Sequence, residues 1–259
     1  MGQTENPSLS AVANNSLNFR LEPEVYEALQ LSTTATLANI MLGHGLRNTY
    51  LLGLSPLTAG QPKLIGPAYT LRFIPAREDI DSMTNYASSD NLHRRAIEEC
   101  PPGAVLVIDS GRCVRAASAG DVMAARLKKR GVLGMITDGG FRDSQSIRGV
   151  GLPAFQQQAA PPATPIALHP IELNGPVGCA GVAIYPGDII VGDEDGVVAI
   201  PAHLVQVVAR EALRVSRYEE FVDLNIERGR SIFGLFPSSL ESLQEYEHWI
   251  SSGKPGHSK

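Results

Sequence analysis

An α/β fold built on a β-α-β crossover is predicted by three observations. Ala104-Val105-Leu106-Val107-Ile108-Asp109 is a continuous apolar run, the pattern of a strand buried on both faces. Asp121–Arg130 reads as a helix with Lys128, Lys129 and Arg130 in its last turn, where cations complement the helix dipole, and Gly131 as its stop. A second apolar run, Val132–Thr137, follows at once and leads into Asp138-Gly139-Gly140. In sheets of this kind ligands collect beyond the carboxyl ends of the strands.

The other elements follow in chain order. Residues 1–18 are expected to be a disordered or tethered leader. Pro23–Leu31 is a helix with Pro in its first turn. Thr34–Gly43 is a second helix, with the Ser32-Thr33-Thr34 cluster offering caps. Tyr50–Leu54 is expected as a short strand, Gly60-Gln61-Pro62 as a turn, and Ala68–Ile74, rich in β-formers, as a strand. Asn91–Glu99 is a helix ended by Pro101-Pro102-Gly103. Ser110–Ala119 is expected as a loop. Pro153–Gln157, Val177–Ile184 and Asp188–Val191 are expected as strands. Asp193-Glu194-Asp195-Gly196 is a tight acidic turn into Val197–Pro201. A long helix over Ala202–Arg228 ends at Gly229, and the polar tail around Trp249 is expected to pack on a neighbouring copy.

Composition narrows the function. The chain has 259 residues, 43% hydrophobic and 19% charged, enough for a large core. A formal charge of -5 and the lack of a basic stripe argue against nucleic acid as a partner. Cys100, Cys113 and Cys179 are an odd set without a C-x-x-C pair, so neither a disulfide framework nor a zinc site is expected. No apolar run is long enough to span a bilayer, and the first residues lack the basic-then-apolar order of a signal peptide. A cytoplasmic protein without a membrane partner is expected. Neither a P-loop, nor a G-x-G-x-x-G after a strand, nor a G-x-S-x-G elbow occurs.

Two stretches hold chemistry. Gly120-Asp121-Val122-Met123 places an acid and the free N–H groups of Val122, Met123 and Ala124 at a helix start, a ready anion site. Asp121 is also an ordinary helix-start acid favoured by the dipole. Gly139-Gly140-Phe141-Arg142-Asp143 places a guanidinium and a carboxylate past a strand end, after glycines that permit close approach. Arg142 offers a planar donor fork for a carboxylate, and Asp143 a hard oxygen ligand for Mg²⁺ or Mn²⁺. Brought together, these groups suit a small 2-oxo acid; held apart, Arg142-Asp143 is a surface ion pair. Asp109 and Asp138 are either ligands or turn formers, with turns the commoner use. Asp193, Glu194 and Asp195 lack the full spacing of a calcium loop. His44 sits on a loop and could line a pocket. Arg72, Arg77, Arg94 and Arg95 are either solvated or binders of a second carboxylate.

The order Gly103–Asp109, Gly120-Asp121, Arg130-Gly131-Val132-Leu133-Gly134, Thr137–Asp143, Gly151-Leu152-Pro153-Ala154-Phe155, Gly187-Asp188 and Asp195–Pro201 resembles the RraA-like family over about residues 35–215. That family includes class II 4-hydroxy-4-methyl-2-oxoglutarate aldolases and the RraA regulators of ribonuclease E. Its aldolases carry Asp, twenty residues, then Arg-Asp, and Asp121 followed by Arg142-Asp143 matches that spacing. The resemblance implies a β/β/α swivelling-type domain over 35–215, preceded by a leader and helix (1–34) and followed by a helical extension (216–259). It implies trimers or hexamers with sites between subunits. It further implies a divalent-metal-dependent lyase that forms a pyruvate enolate and also decarboxylates oxaloacetate. Asp143 would hold Mg²⁺ or Mn²⁺, and Arg142 would contact the oxo or enolate oxygen. The N–H groups near Gly120, Val122 and Met123 would bind the pyruvyl carboxylate, and Asp121 would position a protonating water. Glu219 or Glu220 of a neighbouring subunit would complete the metal shell. The alternatives are a non-catalytic regulator of ribonuclease E and an enolate-forming hydratase or tautomerase on sugar-derived 2-oxo acids.

Overall fold

The computed structural model describes residues 21–253, so the expected leader over 1–18 and the last residues of the tail lie outside the described residues. Two helices open it, α1 (Pro23–Leu31) and α2 (Thr34–Gly43), with bounds as the sequence predicts. Thr33 caps α2 by accepting from the Thr36 N–H at 3.1 Å.

The main sheet has the order β1 (Ser55–Pro56), β7 (Ala154–Gln156), β5 (Gly134–Thr137), β3 (Val105–Asp109), β2 (Leu64–Pro75), β10 (Ile189–Asp193) and β11 (Gly196–Ile200). A further strand, β9 (Leu168–Leu173), pairs antiparallel with the far end of β2. β2, β3, β5 and β7 run parallel, whereas β10 and β11 are antiparallel. The sheet nearly closes on itself: Tyr50 bridges to Val198 of β11, and five residues later β1 begins and pairs with β7.

The apolar run of β3 has a direct cause. Leu106 and Ile108 face one core with Met135, Phe141 and Leu127, while Val105 and Val107 face another with Ile136, Phe155 and Val197. The first core is roofed by α4 (Leu92–Glu99), α5 (Asp121–Lys129) and α6 (Ser144–Val150). The predicted crossover is therefore present, with α5 between β3 and β5 and Gly131 at φ 83°. α1, α2 and the long α7 (Val205–Glu227) cover a third core around Ile65, Val191 and Ile200.

Several expectations are corrected. Tyr50–Leu54 contributes a single bridge and not a strand. Val177–Ile184 is not a strand either: its ends pair with each other around a tight turn at Cys179–Gly181, where Ala180 takes φ 52°. Three strands form inside stretches read as loops or strand ends, β4 (Ala117–Ala119), β6 (Gly140–Phe141) and β8 (Gln158–Ala159), and they make a small parallel sheet of their own. A short helix, α3 (Met83–Tyr86), lies in the segment before α4. The tail forms α8 (Leu240–Ser251), and Trp249 packs on this chain's own Phe221 and Tyr246, with ring centroids 5.6 and 6.2 Å away. These rings, with Tyr218, Val222, Leu224 and Leu235, form a separate small core beyond residue 216. No helix among the described residues is long and apolar enough to cross a membrane.

Two predictions follow from this packing. A Cβ at Gly140 would collide with the Gln158 carbonyl and come within 2.8 Å of Ala160 Cβ. Gly140→Ala is expected to lower the unfolding free energy by about 1–3 kcal/mol in urea titration. Because Trp249 belongs to the separate C-terminal core, Trp249→Ala is expected to lose hydrogen-exchange protection in α8 while β3 keeps its own.

Candidate functional site

The small sheet makes the site. β4 pairs in parallel with β6, and the Ala119 carbonyl accepts from the Arg142 N–H at 3.0 Å. Gly120, the residue that opens α5, is thereby pressed against the second special stretch. A Cβ on Gly120 would lie 3.0 Å from Arg142 Cγ and 3.1 Å from Asp143 Oδ2. The two stretches the sequence singles out, one crossover apart, are brought into van der Waals contact.

The floor beneath them is polar and buried. Ser110, Ser118 and Thr137 hydroxyls form a buried triangle with sides of 2.8, 2.8 and 3.0 Å. Thr137 Oγ1 also accepts from the Gly139 N–H at 3.0 Å, and Gln156 Oε1 accepts from the Phe141 N–H at 2.7 Å. Sequence reasoning missed these four residues; the only signal was hydroxyl and amide side chains at the ends of apolar strands. Asp138 is likewise structural: its carboxylate accepts from the N–H groups of Ser110, Arg112 and Ala180 at 2.7–3.2 Å. Burial holds this carboxyl above the usual carboxylate range, against those three donors. Asp109 is a turn former, accepting from Gly111 and Gly178 N–H groups at 2.9 and 3.0 Å.

The helix start differs in detail from expectation. Asp121 Oδ1 takes the Val122 N–H at 2.8 Å, and the Ala124 N–H is spent on the Gly120 carbonyl at 3.0 Å. Of the three N–H groups named from sequence, Met123 alone makes no hydrogen bond among the described residues. Val122 itself is 77% exposed.

Arg142 and Asp143 form an ion pair, Nε to Oδ2, at 2.9 Å, with side chains 43% and 35% exposed. An exposed pair of this kind contributes well under ~1 kcal/mol, so an arriving anion or cation can separate it. Asp143 sits at φ 59° and ψ 38°, the left-handed region, immediately before α6. That backbone turns its carboxylate back toward Gly120. Asp143 Oδ1 has no hydrogen bond among the described residues. Among the described residues no three His, Cys, Asp or Glu side chains gather as a metal cage. A single free carboxylate oxygen suits a cation that keeps most of its water, which is the habit of Mg²⁺.

The other candidates go elsewhere. Asp193 accepts from the Thr34 N–H and hydroxyl at 2.8 and 2.7 Å, and Glu194 from the Gly60 N–H at 2.6 Å, so the acidic turn anchors loops. His44 meets Glu211 at 3.0 Å. Arg72 pairs with Glu172, Arg77 with Asp79 and Arg95 with Glu99. Glu219 and Glu220 are half-buried on α7. Burial, then the charge of Asp223, holds Glu219 above the usual range.

Known proteins place the chain. Residues 34–199, well over half of it, match the family described as RraA-like, Aldolase/RraA. Streptomyces coelicolor RraAS2, described as an unusual member of the RNase ES inhibitor RraA protein family, superposes with a TM-score of 0.71 at 31% identity, covering 79% of this chain and 98% of that one. A Thermus thermophilus protein named 4-hydroxy-4-methyl-2-oxoglutarate aldolase is 33% identical over 112 residues, 42% of this chain and 66% of that protein. A Halalkalibacterium halodurans protein bears the same name with a provisional qualifier and is 36% identical over 163 residues, 61% of this chain and 69% of its own length. Protein DlpA of Legionella pneumophila is 29% identical over 208 residues, 79% of this chain, yet the match spans only 31% of that longer protein. In sequence and in fold, then, this α/β chain with its added N- and C-terminal helices belongs to the RraA-like family.

Proposed function

We propose that this chain is a divalent-metal-dependent lyase that cleaves a carbon–carbon bond of a 2-oxo acid. The observation that carries the reading is the contact of Gly120 with Arg142 and Asp143, which joins a helix start, a cation and a hard carboxylate in one neighbourhood. The aldolase names of the Thermus and Halalkalibacterium relatives support it.

In this reading the substrate's 1-carboxylate lies on the Met123 N–H at the positive end of α5. The guanidinium of Arg142 leaves Asp143 and donates to the 2-oxo oxygen. Asp143 would hold Mg²⁺ or Mn²⁺ through the oxygen no protein donor occupies among the described residues. When bound, the cation supplies Lewis acidity toward the oxo group. In the aldol cleavage the C4 hydroxyl passes its proton to the water beside Asp121 as the bond between C3 and C4 breaks, so that the other fragment leaves as a carbonyl compound; from oxaloacetate it leaves as CO₂ with no proton to lose, and in both cases the electron pair stays on the pyruvyl fragment as an enolate. Arg142 opposes the negative charge that grows on the enolate oxygen. A water held by Asp121 delivers the proton to C3. No lysine stands in either stretch, which disfavours a Schiff-base route. A homo-oligomer, trimeric or hexameric, with Glu219 or Glu220 of a neighbour near the metal, belongs to the same proposal. The second reading, a regulator of ribonuclease E, draws on the description of the Streptomyces structure.

Pyruvate release from oxaloacetate tests the choice. With Mg²⁺ the wild type is expected to turn over and EDTA to stop it; no turnover together with inhibited RNase E cleavage favours the regulator. Arg142→Ala and Asp143→Asn are expected to lower kcat by about 10²–10³ with unchanged far-UV circular dichroism. Wild-type rates in either variant refute the assignment. Asn is the better replacement at 143 because it tolerates the left-handed backbone. Asp143→Ala is therefore expected to be less stable than Asp143→Asn by about 1 kcal/mol in urea titration.

A further inference from the structure

The small C-terminal core leaves an apolar face of its own uncovered. Six large apolar side chains between residues 232 and 250 are exposed: Ile232, Phe233, Phe236, Leu240, Leu243 and Ile250, with Phe233 at 89% and Leu240 at 83%. All six lie outside residues 34–199, the part of the chain that matches the family. Scattered exposed apolar residues are ordinary, whereas a cluster marks a surface that something covers.

The segment between α7 and α8 that carries half of this face is fixed from below. Leu235 is fully buried, and its carbonyl accepts from the Tyr218 hydroxyl at 2.7 Å. Arg230 pairs with Glu245, and its N–H donates to the Asn225 carbonyl at 2.9 Å. The Ser239 N–H donates to the Gly234 carbonyl at 3.1 Å, so the chain returns on itself and Phe233 and Leu240 flank the closure. Ser239 and Ser242 then cap α8 reciprocally. Ser242 and Trp249 turn inward from this helix, while Leu240, Leu243 and Ile250 share a neighbouring stripe that Glu247 interrupts. Holding these apolar groups rigid in water gains the fold nothing. It favours docking, because little side-chain or loop freedom is left to lose.

Charge and size select the occupant. Residues 216–253 hold three arginines and seven acids, a balance that repels nucleic acid and anionic lipid. The face is self-complementary about a two-fold axis. If α8 lies antiparallel on its equivalent, the Leu240 end of each helix meets the Ile250 end of the other, about 15 Å along the axis. The two Glu247 carboxylates then stand about 10 Å apart, close to one Debye length, so their repulsion is weak. The patch offers on the order of 600 Å² of apolar surface, and its polar rim brings it near the ~800 Å² per partner of a stable interface. We propose that Phe233, Phe236, Leu240, Leu243 and Ile250 form a two-fold interface that pairs two copies of this chain through their C-terminal extensions. The same patch serves both partners, as an isologous contact requires. This pairing is independent of the lyase reading and of any contact that residues 34–199 make.

Gel filtration of the full chain with light scattering tests this. A two-fold contact doubles whatever assembly the rest of the chain makes. Phe233→Ser combined with Leu240→Ser is therefore expected to halve the molar mass with unchanged far-UV circular dichroism. The dissociation constant of this step, read by sedimentation, is expected to rise about a hundredfold. Glu247→Leu completes the stripe and removes the like charges, so it is expected to tighten the contact about tenfold. Added NaCl is expected to tighten the wild-type contact, because it screens two acids and leaves the apolar term in place. Equal mass in the wild type and the double variant overturns the proposal, whether residues 1–20 or another protein then cover the face. Weaker association in Glu247→Leu, or in added NaCl, overturns the two-fold pairing as well. Oxaloacetate turnover at either mass leaves the lyase reading as it stands.

Discussion

The parallel pairing of β4 with β6 is the constraint on which the rest of the site depends. Each strand is only two or three residues long, and neither would persist alone. They hold because β6 lies between β4 and β8 with no room for a Cβ at Gly140, and because Ser110, Ser118 and Thr137 tie the strand ends together below. This arrangement sets Ala119 opposite Phe141, so the next residues along each strand, Gly120 and Arg142, must meet. A Cβ at position 120 would press on the Arg142 and Asp143 side chains, which would have to give by a few tenths of an ångström. The meeting of Gly120 with Arg142 and Asp143 is thus a consequence of backbone register.

Weakness is part of the design. The Arg142–Asp143 pair is exposed enough that water screens it, so each partner can be reassigned to a ligand at little cost. Rigidity comes instead from the buried polar floor and from the left-handed turn at Asp143, which fix where the two side chains start. Asp138 illustrates the division of labour. In sequence it is either a ligand or a turn former; its carboxylate is consumed by three backbone N–H groups and works as a knot joining the β3 end, the following loop and the Cys179–Gly181 turn. The loosely paired carboxylate at 143, and not the tightly bonded one at 138, has an oxygen to spare.

Legibility in the sequence tracks the physics of each element. The strand around Val105–Asp109 and helix α5 were plain because long apolar runs, a basic last turn and a Gly stop all agree. The acidic hairpin between β10 and β11 was plain for the same kind of reason. Strands β4, β6 and β8 were hidden because two or three residues carry no periodicity, and glycine in β6 argues against a strand. β9 was hidden by Pro170, which the outer side of β2 tolerates. Val177–Ile184 misled because its apolar composition outweighed Gly178 and Gly181, which in fact turn the chain back. At the site, residue identities and spacing pointed to Asp121, Arg142 and Asp143. The loss of the Val122 and Ala124 N–H groups to Asp121 and Gly120 is a matter of ångströms that no spacing encodes.

The central claim is that these three side chains surround one hydrated divalent cation and one pyruvyl unit. A crystal grown with Mn²⁺ and oxalate, a planar mimic of the pyruvate enolate, tests it most directly through anomalous scattering at the manganese edge. The account predicts one anomalous peak beside the Asp143 carboxylate, with oxalate between it, the Arg142 guanidinium and the Met123 N–H. A peak elsewhere, or oxalate bound away from the start of α5, would contradict it.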